Sequence, residues 1–277
     1  MLPGDISRLE ATAGVGAIAG VAAETRAHLA SSSGLRLAAQ LADHLSAYNA
    51  TDDVVPFFGD YRLAHTEAYF QLQNSVCLAY HGFYSQAFST LRSVCELSLL
   101  QASLPEGATF SDGPVNVVLR LGSCASQHSG QDASSLEEWA VDGCRTPKWP
   151  QMLKRLLGSD TARRFDTETQ LAARLQESLA SLDPYVHARG YLRSATGLSS
   201  GNLLRFSQES LSLFGTRMMC ATQLSVAMLL LAFLPTATSH PEAAAGFIDD
   251  GDLLMALRVL PSKDAKLLRE IYNERDR

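Results

Sequence analysis

The chain has 277 residues, of which 46% are hydrophobic, and it carries a formal net charge of −6 at pH 7. This length can bury a core of ordinary size and falls between one large domain and two small ones, of which we favour one helical domain with appendages. The acidic balance argues against an extended basic surface for nucleic acids. Only four of the 23 cationic residues are lysines, so a local arginine patch can still hold phosphates.

The N-terminal residues 1–26 lack the basic start and strong apolar stretch of a signal peptide, since Asp5 and Glu10 precede a run of small residues. The cysteines are odd in number and form no C-x-x-C pair, which indicates a reduced, cytoplasmic protein. Cys124 and His128 are four residues apart and Cys144 is within reach, which imitates part of a zinc site. No fourth ligand stands at metal spacing, and we expect neither metal nor cofactor. The five cysteines are Cys77, Cys95, Cys124, Cys144 and Cys220.

In chain order, apolar residues at helical spacing predict a first well-formed helix that ends near Asn49. A long helical element follows over residues 61–104, where Gly82 is expected to break or kink it and Pro105 to stop it. Residues 105–150 are rich in Gly, Ser and Pro and predict a lid, a binding loop or a partly disordered insertion. Short helices at 115–121 and 135–141 are expected within this insertion.

Helical periodicity returns over residues 149–157 and then over 162–182, where Asp183-Pro184 is expected to end the helix because proline disfavours helix at the preceding residue. A long helix is predicted over 203–234. Its apolar window, residues 218–234, contains Gln223 and stops at Pro235, which predicts a core helix rather than a membrane span. The C-terminal tail is expected to hold helices at 253–260 and 262–275.

These elements predict an all-α bundle of about seven to ten helices. We divide it into an N-terminal helical segment at 1–59, a bundle core at 60–238 with the loop-rich insertion 105–150, and a C-terminal helical tail at 239–277.

The most distinctive stretch is residues 68–91, which contains no Asp, Glu, Lys or Arg. Its amides and its imidazole predict a helix buried in protein, because buried polar groups need hydrogen-bond partners. We expect a polar seam against neighbouring helices or against a second subunit, and therefore a homodimer.

Two groups of polar residues are candidates for a functional site. Arg92 and Glu96 lie at i, i+4 on a face otherwise made of small hydroxyls, where they form either a structural clasp between helices or part of a site. Tyr185, His187 and Arg189 follow the expected helix break, and His187 is the side chain best suited to proton transfer near neutral pH. The candidate site residues are therefore Arg92, Glu96, His187 and Arg189.

The motifs HGFYSQAFSTLRSVCELSLLQ (81–101), TPKWPQMLKRLL (146–157) and LASLDPYVHARG (179–190) resemble a group of bacterial helical proteins related to the HEPN superfamily. That group carries A-x-x-x-L-R-x-x-x-E on one helix, a Lys-bearing helix next, and Y-x-x-L-S-x-x-V-H later. Arg92 and Glu96 match the first motif, Lys154 approximates the second, and His187 matches the end of the third. This chain departs from the third motif, because it has Leu182-Asp183-Pro184-Tyr185 where the group has Leu-Ser before the His.

The resemblance implies a helical core over about residues 60–235. Catalytic HEPN proteins are metal-independent, dimeric ribonucleases that act as toxins or anti-phage effectors. Their signature is an Arg followed by a His after four to six residues, in which the Arg stabilises the phosphate charge and the His transfers a proton. No such pair occurs in this sequence.

Two functions are therefore compatible with the sequence. The first is a non-catalytic helical module within a bacterial defence or toxin system, whose polar seam and 105–150 loop bind a protein or a small ligand. The second is a HEPN-like metal-independent ribonuclease that acts on RNA, with Arg92 and His187 brought together from two helices. The missing Arg–His motif and the acidic charge favour the binding module.

Overall fold

The computed structural model describes residues 15–53, 63–104, 131–140, 144–186, 205–239 and 250–275. Within these ranges 84% of the residues lie in α-helices and no strand occurs, which confirms the all-α prediction. A single isolated β-bridge joins Asp132 and Arg145 in the described part of the insertion. Residues 115–121, where a helix was predicted, lie outside the described ranges.

Eleven α-helices occur in the described ranges: α1 Val15–Leu29, α2 Leu35–Ala50, α3 Leu63–Tyr80, α4 Tyr84–Ser103, α5 Leu136–Ala140, α6 Trp149–Leu156, α7 Asp160–Thr169, α8 Leu171–Val186, α9 Gln208–Ser239, α10 Asp250–Arg258 and α11 Ser262–Arg275. A short 3₁₀ turn, Thr51–Asp53, follows α2. Helix α1 was not predicted separately. Because α1 is rich in small residues, its sequence does not distinguish the buried side from the exposed side. Val21 and Thr25, one turn apart, are buried.

The long element predicted over 61–104 is two helices, α3 and α4, that are separated at Gly82. Gly82 has φ +81°, a left-handed conformation that L-residues rarely adopt. A Cβ atom at this position would lie 2.9 Å from Val21 Cγ1 and 3.2 Å from the carbonyl oxygen of Arg205. Glycine is therefore required both by the turn and by the close approach of two other segments.

The helix predicted over 162–182 is also two helices, but its breaks do not lie where the sequence placed them. Gln170 adopts a left-handed conformation between α7 and α8, and Asp166 Oδ1 accepts a hydrogen bond from the backbone N–H of Ala172 at 2.7 Å. The prediction that Asp183-Pro184 ends the helix is wrong, since α8 continues to Val186 with Pro184 inside it. The buried side chains of Leu179 and Leu182 pack the last turns of α8 against the core and offset the hydrogen bond that proline removes.

Helix α9 likewise continues past Pro235, where the sequence predicted its end, to Ser239. By length and composition its segment Gln208–Phe233 could cross a membrane, but 61% of the 18-residue apolar window within this segment is buried inside the fold. Residues 224–231 are all buried, so this part of α9 packs against protein on every side.

Helices α4 and α9 form the centre of the bundle. Helix α4 packs against α3, α9, α8 and α6, while α9 also packs against α2, α8 and α11. Their contact includes Phe88 of α4 and Phe214 of α9, whose ring centroids lie 6.1 Å apart. The division of the chain at residues 59 and 238 stays a prediction.

Candidate functional site

Two of the four predicted site residues, Arg92 and Glu96, lie in the described part of the chain, on α4. His187 and Arg189 lie outside the described residues, as do Cys124 and His128. Among the residues that the structure describes, no group of three His, Cys, Asp or Glu side chains is placed to hold a metal ion.

Arg92 and Glu96 form an ion pair across one turn of α4. Arg92 Nε and Nη2 both lie 3.0 Å from Glu96 Oε1. The Arg92 side chain is 14% exposed and that of Glu96 is 34% exposed, so the pair lies at the edge of the core. Both contacts are made by Glu96 Oε1, and no described residue donates a hydrogen bond to Oε2.

A second carboxylate, which sequence reasoning missed, completes this arrangement. Arg92 Nη1 contacts Asp183 Oδ1 on α8. The contact exists because α8 remains helical through Asp183, where the sequence predicted an end. The charge of Arg92 is therefore compensated by two carboxylates, and a phosphate would have to displace at least one of them.

Beside this arrangement lies an open pocket of about 430 Å³, which we call the Trp149 pocket. Arg92 and Glu96 form its side on α4, and residues 146–150 with Met152 form the opposite side. Pro147 and Met152 are buried in its floor, Trp149 is half-buried, and the Lys148 ammonium group lies at the exposed rim. The pocket residues are Arg92, Glu96, Thr146, Pro147, Lys148, Trp149, Pro150 and Met152.

Local sequence explains how this wall forms. Lys148 is extended at the N-cap of α6, and Pro150 occupies the first turn, where its missing N–H leaves no helical hydrogen bond unmade. Met152, Leu153 and Leu156 of α6 are buried, and α6 packs on α4. The start of α6 is therefore held opposite Arg92 and Glu96.

The described end of the insertion supports the same wall. Trp139 Nε1 donates a hydrogen bond of 3.0 Å to Thr146 Oγ1, and Arg155 Nη1 donates one of 3.3 Å to the carbonyl oxygen of Ala133. Ser134 donates from both its backbone N–H and its hydroxyl to Glu138 Oε2, each at 2.7 Å. This part of the loop-rich insertion is thus folded against the pocket.

Tyr185, which was expected to converge with the other polar groups, instead packs against the core. Its ring centroid lies 4.5 Å from that of Phe88. Burial raises the pKa of the Tyr185 hydroxyl, and the nearby Arg217 opposes this shift. Tyr185 is therefore a packing residue of α8.

Within a single chain, the amides of the uncharged stretch 68–91 are not buried against neighbouring helices as the sequence predicted. Gln73, Asn74 and Gln86 are exposed, and Gln71 donates to Glu67 Oε1 at 2.6 Å on the surface. The expected polar seam against neighbouring helices is therefore not formed by these amides. The alternative, a seam against a second subunit, stays a prediction.

A buried polar group that the sequence did not signal joins the 3₁₀ turn to α3. Thr51 donates its hydroxyl proton to the carbonyl oxygen of Tyr48 at 2.6 Å, and its Oγ1 lies 2.9 Å from His65 Nε2. His65 Nδ1 lies 3.3 Å from Asp52 Oδ1, and its ring stacks on Tyr48. The residue types are those of a nucleophile triad, but Thr51 is fully buried and its proton is already used. We assign this group a structural role.

Comparison with protein-family models, with curated proteins and with solved structures gives no match for this chain.

Proposed function

We propose that this protein is a non-catalytic binding module whose Trp149 pocket takes an uncharged, partly apolar ligand that carries an N–H donor. The observation that carries the proposal is the position of Arg92 between Glu96 and Asp183 at the pocket edge. An arginine held in this way orients a carboxylate for binding and does not provide a free cation.

The residues of the pocket favour binding over catalysis. None of its described residues is a His, Cys or Ser, so the pocket contains no imidazole for proton transfer and no thiol or serine nucleophile. Its one hydroxyl, that of Thr146, accepts the hydrogen bond from Trp139. Its volume lies within the range of small-molecule sites, at about 300–1,000 Å³. The rings of Trp149, Pro147 and Pro150 provide apolar contact area.

The charges around the Trp149 pocket favour an uncharged ligand. Arg92 and Lys148 contribute two positive charges, and Glu96 with Asp183 contributes two negative charges, so the surroundings are neutral overall. A neutral group pays no net electrostatic penalty there, whereas an added ion would leave one charge uncompensated. Glu96 Oε2 is the acceptor that we assign to the ligand N–H.

Nuclear magnetic resonance of the two tryptophan indole N–H groups tests this proposal. The probe is N-acetylphenylalaninamide, with phenethylamine and phenylacetate as its cationic and anionic counterparts. We expect the neutral probe to shift the Trp149 signal at lower concentration than either ion does. The Trp139 signal should move less, because the Trp139 indole N–H is already hydrogen-bonded to Thr146.

Three variants complete the experiment. Trp149→Ala and Glu96→Gln should weaken binding of the neutral probe, whereas Gln151→Ala, at an exposed position of α6 outside the pocket, should leave it unchanged. Equal responses to all three probes, or binding that survives both pocket variants, would rule out the proposed ligand class.

The proposal includes a homodimer, a cytoplasmic location and a place in a bacterial defence or toxin system, of which only the last rests on the HEPN resemblance. The outer side of α3 supports a dimer contact, since Phe70 is 53% exposed beside the uncharged Gln73 and Asn74. An exposed aromatic side chain next to neutral amides can be buried by a second copy at lower cost than a charged surface.

The alternative function is a HEPN-like metal-independent ribonuclease. One contact favours it: Arg92 touches Asp183, which precedes His187 by four positions in the sequence. Purified protein should then cut RNA in the presence of a chelator, and expression should poison cells. His187→Ala and Arg189→Ala should abolish both effects without changing the melting temperature. Intact RNA from about pH 6 to 8, together with harmless expression, would exclude this function for the isolated protein.

A further inference from the structure

A second pocket, of about 370 Å³, lies between the end of α10 and one side of α11. We call it the C-terminal pocket. Its cations are Arg258 from α10 and Lys266 and Arg269 from α11, and its one acidic residue is Glu270. This concentration of positive charge contrasts with the net charge of −6 of the chain.

Helical spacing explains the clustering on α11. Ser262, Lys266 and Arg269 lie at i, i+4 and i+7, so they project from the same side of the helix. Leu257 and Leu260 supply an apolar wall from the end of α10 and the turn that follows it. Cations, a hydroxyl donor and apolar surface therefore meet in one pocket.

The ion pairing of these residues leaves the pocket positive. Lys266 Nζ lies 3.7 Å from Glu270 Oε1, whereas Arg258 and Arg269 form no ion pair with any residue in the described ranges. Three cations and one carboxylate leave a net charge of +2. Both unpaired arginines are exposed, so they are accessible to a ligand from solvent.

The opposite side of α11 is anchored, which fixes the wall of the pocket. Asp264 is buried, and its Oδ2 lies 2.6 Å from Arg174 Nη1 on α8. Leu267, Leu268 and Ile271 are buried against the bundle. The cations on α11 are therefore presented from a helix whose opposite side is buried against the fold.

We propose that the C-terminal pocket binds a small organic phosphomonoester. Such a group carries about −1.5 to −2 charges at pH 7, which matches the net charge of the pocket. The planar forks of Arg258 and Arg269 suit phosphate oxygens, and Leu257 and Leu260 suit the organic part. The pocket volume lies at the low end of small-molecule sites, which favours a compact ligand. This site shares no residue with the Trp149 pocket and does not depend on the function proposed for it.

Isothermal titration calorimetry on the full chain tests the proposal with four probes: inorganic phosphate, adenosine monophosphate, adenosine, and a short RNA without terminal phosphates. We expect saturable binding of the first two probes and none of adenosine. The RNA should bind more weakly than the monophosphate. Added salt should weaken monophosphate binding, because the contact is electrostatic.

Variants assign the binding to this pocket. Arg258→Gln and Arg269→Gln should each weaken monophosphate binding about ten-fold, and the double variant more strongly, since each removes a charge-assisted contact. Arg36→Gln, at an exposed arginine of α2, should have no effect. Melting temperatures of the variants should stay unchanged, because both pocket arginines are exposed. If the double variant does not fold, the two single variants test whether the pocket binds the monophosphate.

Four results would overturn the proposal. The first is the absence of saturable binding at about 10 mM probe, and the second is an affinity for adenosine equal to that for the monophosphate. The third is RNA that binds as tightly as the monophosphate through the same arginines. The fourth is monophosphate binding that both arginine variants leave intact. None of them bears on the Trp149 pocket, whose own variants should not change monophosphate binding.

Discussion

The guanidinium group of Arg92 on α4 contacts the carboxylate of Asp183 on α8, and the same guanidinium binds Glu96 one turn further along α4. One cation therefore holds two carboxylates from two helices at the edge of the Trp149 pocket. This contact couples the packing of α8 to the shape of the proposed binding site.

The contributions of the three residues should be unequal. Arg92→Met leaves two carboxylates close together without their cation, and we expect it to lower the free energy of unfolding by about 1–3 kcal/mol. Glu96→Gln and Asp183→Asn each leave Arg92 with one partner and should cost less than about 1 kcal/mol. Urea unfolding followed by circular dichroism measures these values.

The control is Arg163→Met, which removes an exposed arginine paired with Asp160 on the surface of α7. It should change stability by less than about 0.5 kcal/mol. If Arg92→Met costs no more than this control, Arg92 does not hold the two helices together.

Gly82→Ala should destabilise the protein by about 1–3 kcal/mol, because it places a side chain in a left-handed conformation and brings its Cβ 2.9 Å from Val21 Cγ1. Gly20→Ala is the matched control, since it lies within α1 with nothing within 4 Å of the new Cβ. That change should be neutral or should stabilise the protein by up to about 1 kcal/mol. A Gly82→Ala protein as stable as the parent would contradict the structure of the α3–α4 turn.

Stability should fall at alkaline pH. Burial raises the pKa of the Cys95 thiol from 9.0 to about 12, with further contributions from Cys220 and Glu96. Burial likewise raises the pKa of Tyr48. The folded state therefore keeps protons that the unfolded chain releases. The stabilisation from Cys95 is complete below about pH 9 and that from Tyr48 below about pH 10. Above these values each group loses up to about 1.4 kcal/mol of stabilisation per pH unit as pH rises towards 12.

Cys95→Ala should reduce this slope between pH 9 and pH 12 when unfolding is measured in urea across the range. In the native protein, iodoacetamide should modify the exposed Cys77 and spare the buried Cys95, as read by mass spectrometry. An unchanged slope in Cys95→Ala would show that this thiol does not control the alkaline loss.

The proposed dimer should form through the outer side of α3. Sedimentation at micromolar concentration should give twice the chain mass, and Phe70→Arg should give the monomer, because it would bury a charge in the contact. Leu35→Arg, at a comparably exposed apolar position of α2, should remain dimeric. A parent protein that sediments as a monomer would remove the dimer from the proposed function.

Local features of the chain were sufficient to predict the all-α class and several of its helices. Apolar periodicity marked the elements that became α2 and α6, and the pairing of Arg92 with Glu96 followed from their i, i+4 spacing. Gly82 also marked a real break, because glycine adopts the left-handed conformation of this turn without steric cost. These features depend on neighbours within one or two helical turns, which a single sequence contains.

Only the tertiary structure decided where α8 and α9 end and which groups meet in space. Pro184 and Pro235 were expected to stop helices, but each removes one hydrogen bond, while packing of the buried side chains before it acts over several turns. Asp183 therefore stays helical and reaches Arg92, and residues 146–150 with Met152 close the Trp149 pocket against α4. The C-terminal pocket likewise joins Arg258 to α11. Such contacts arise from packing between distant segments, for which local periodicity carries no signal.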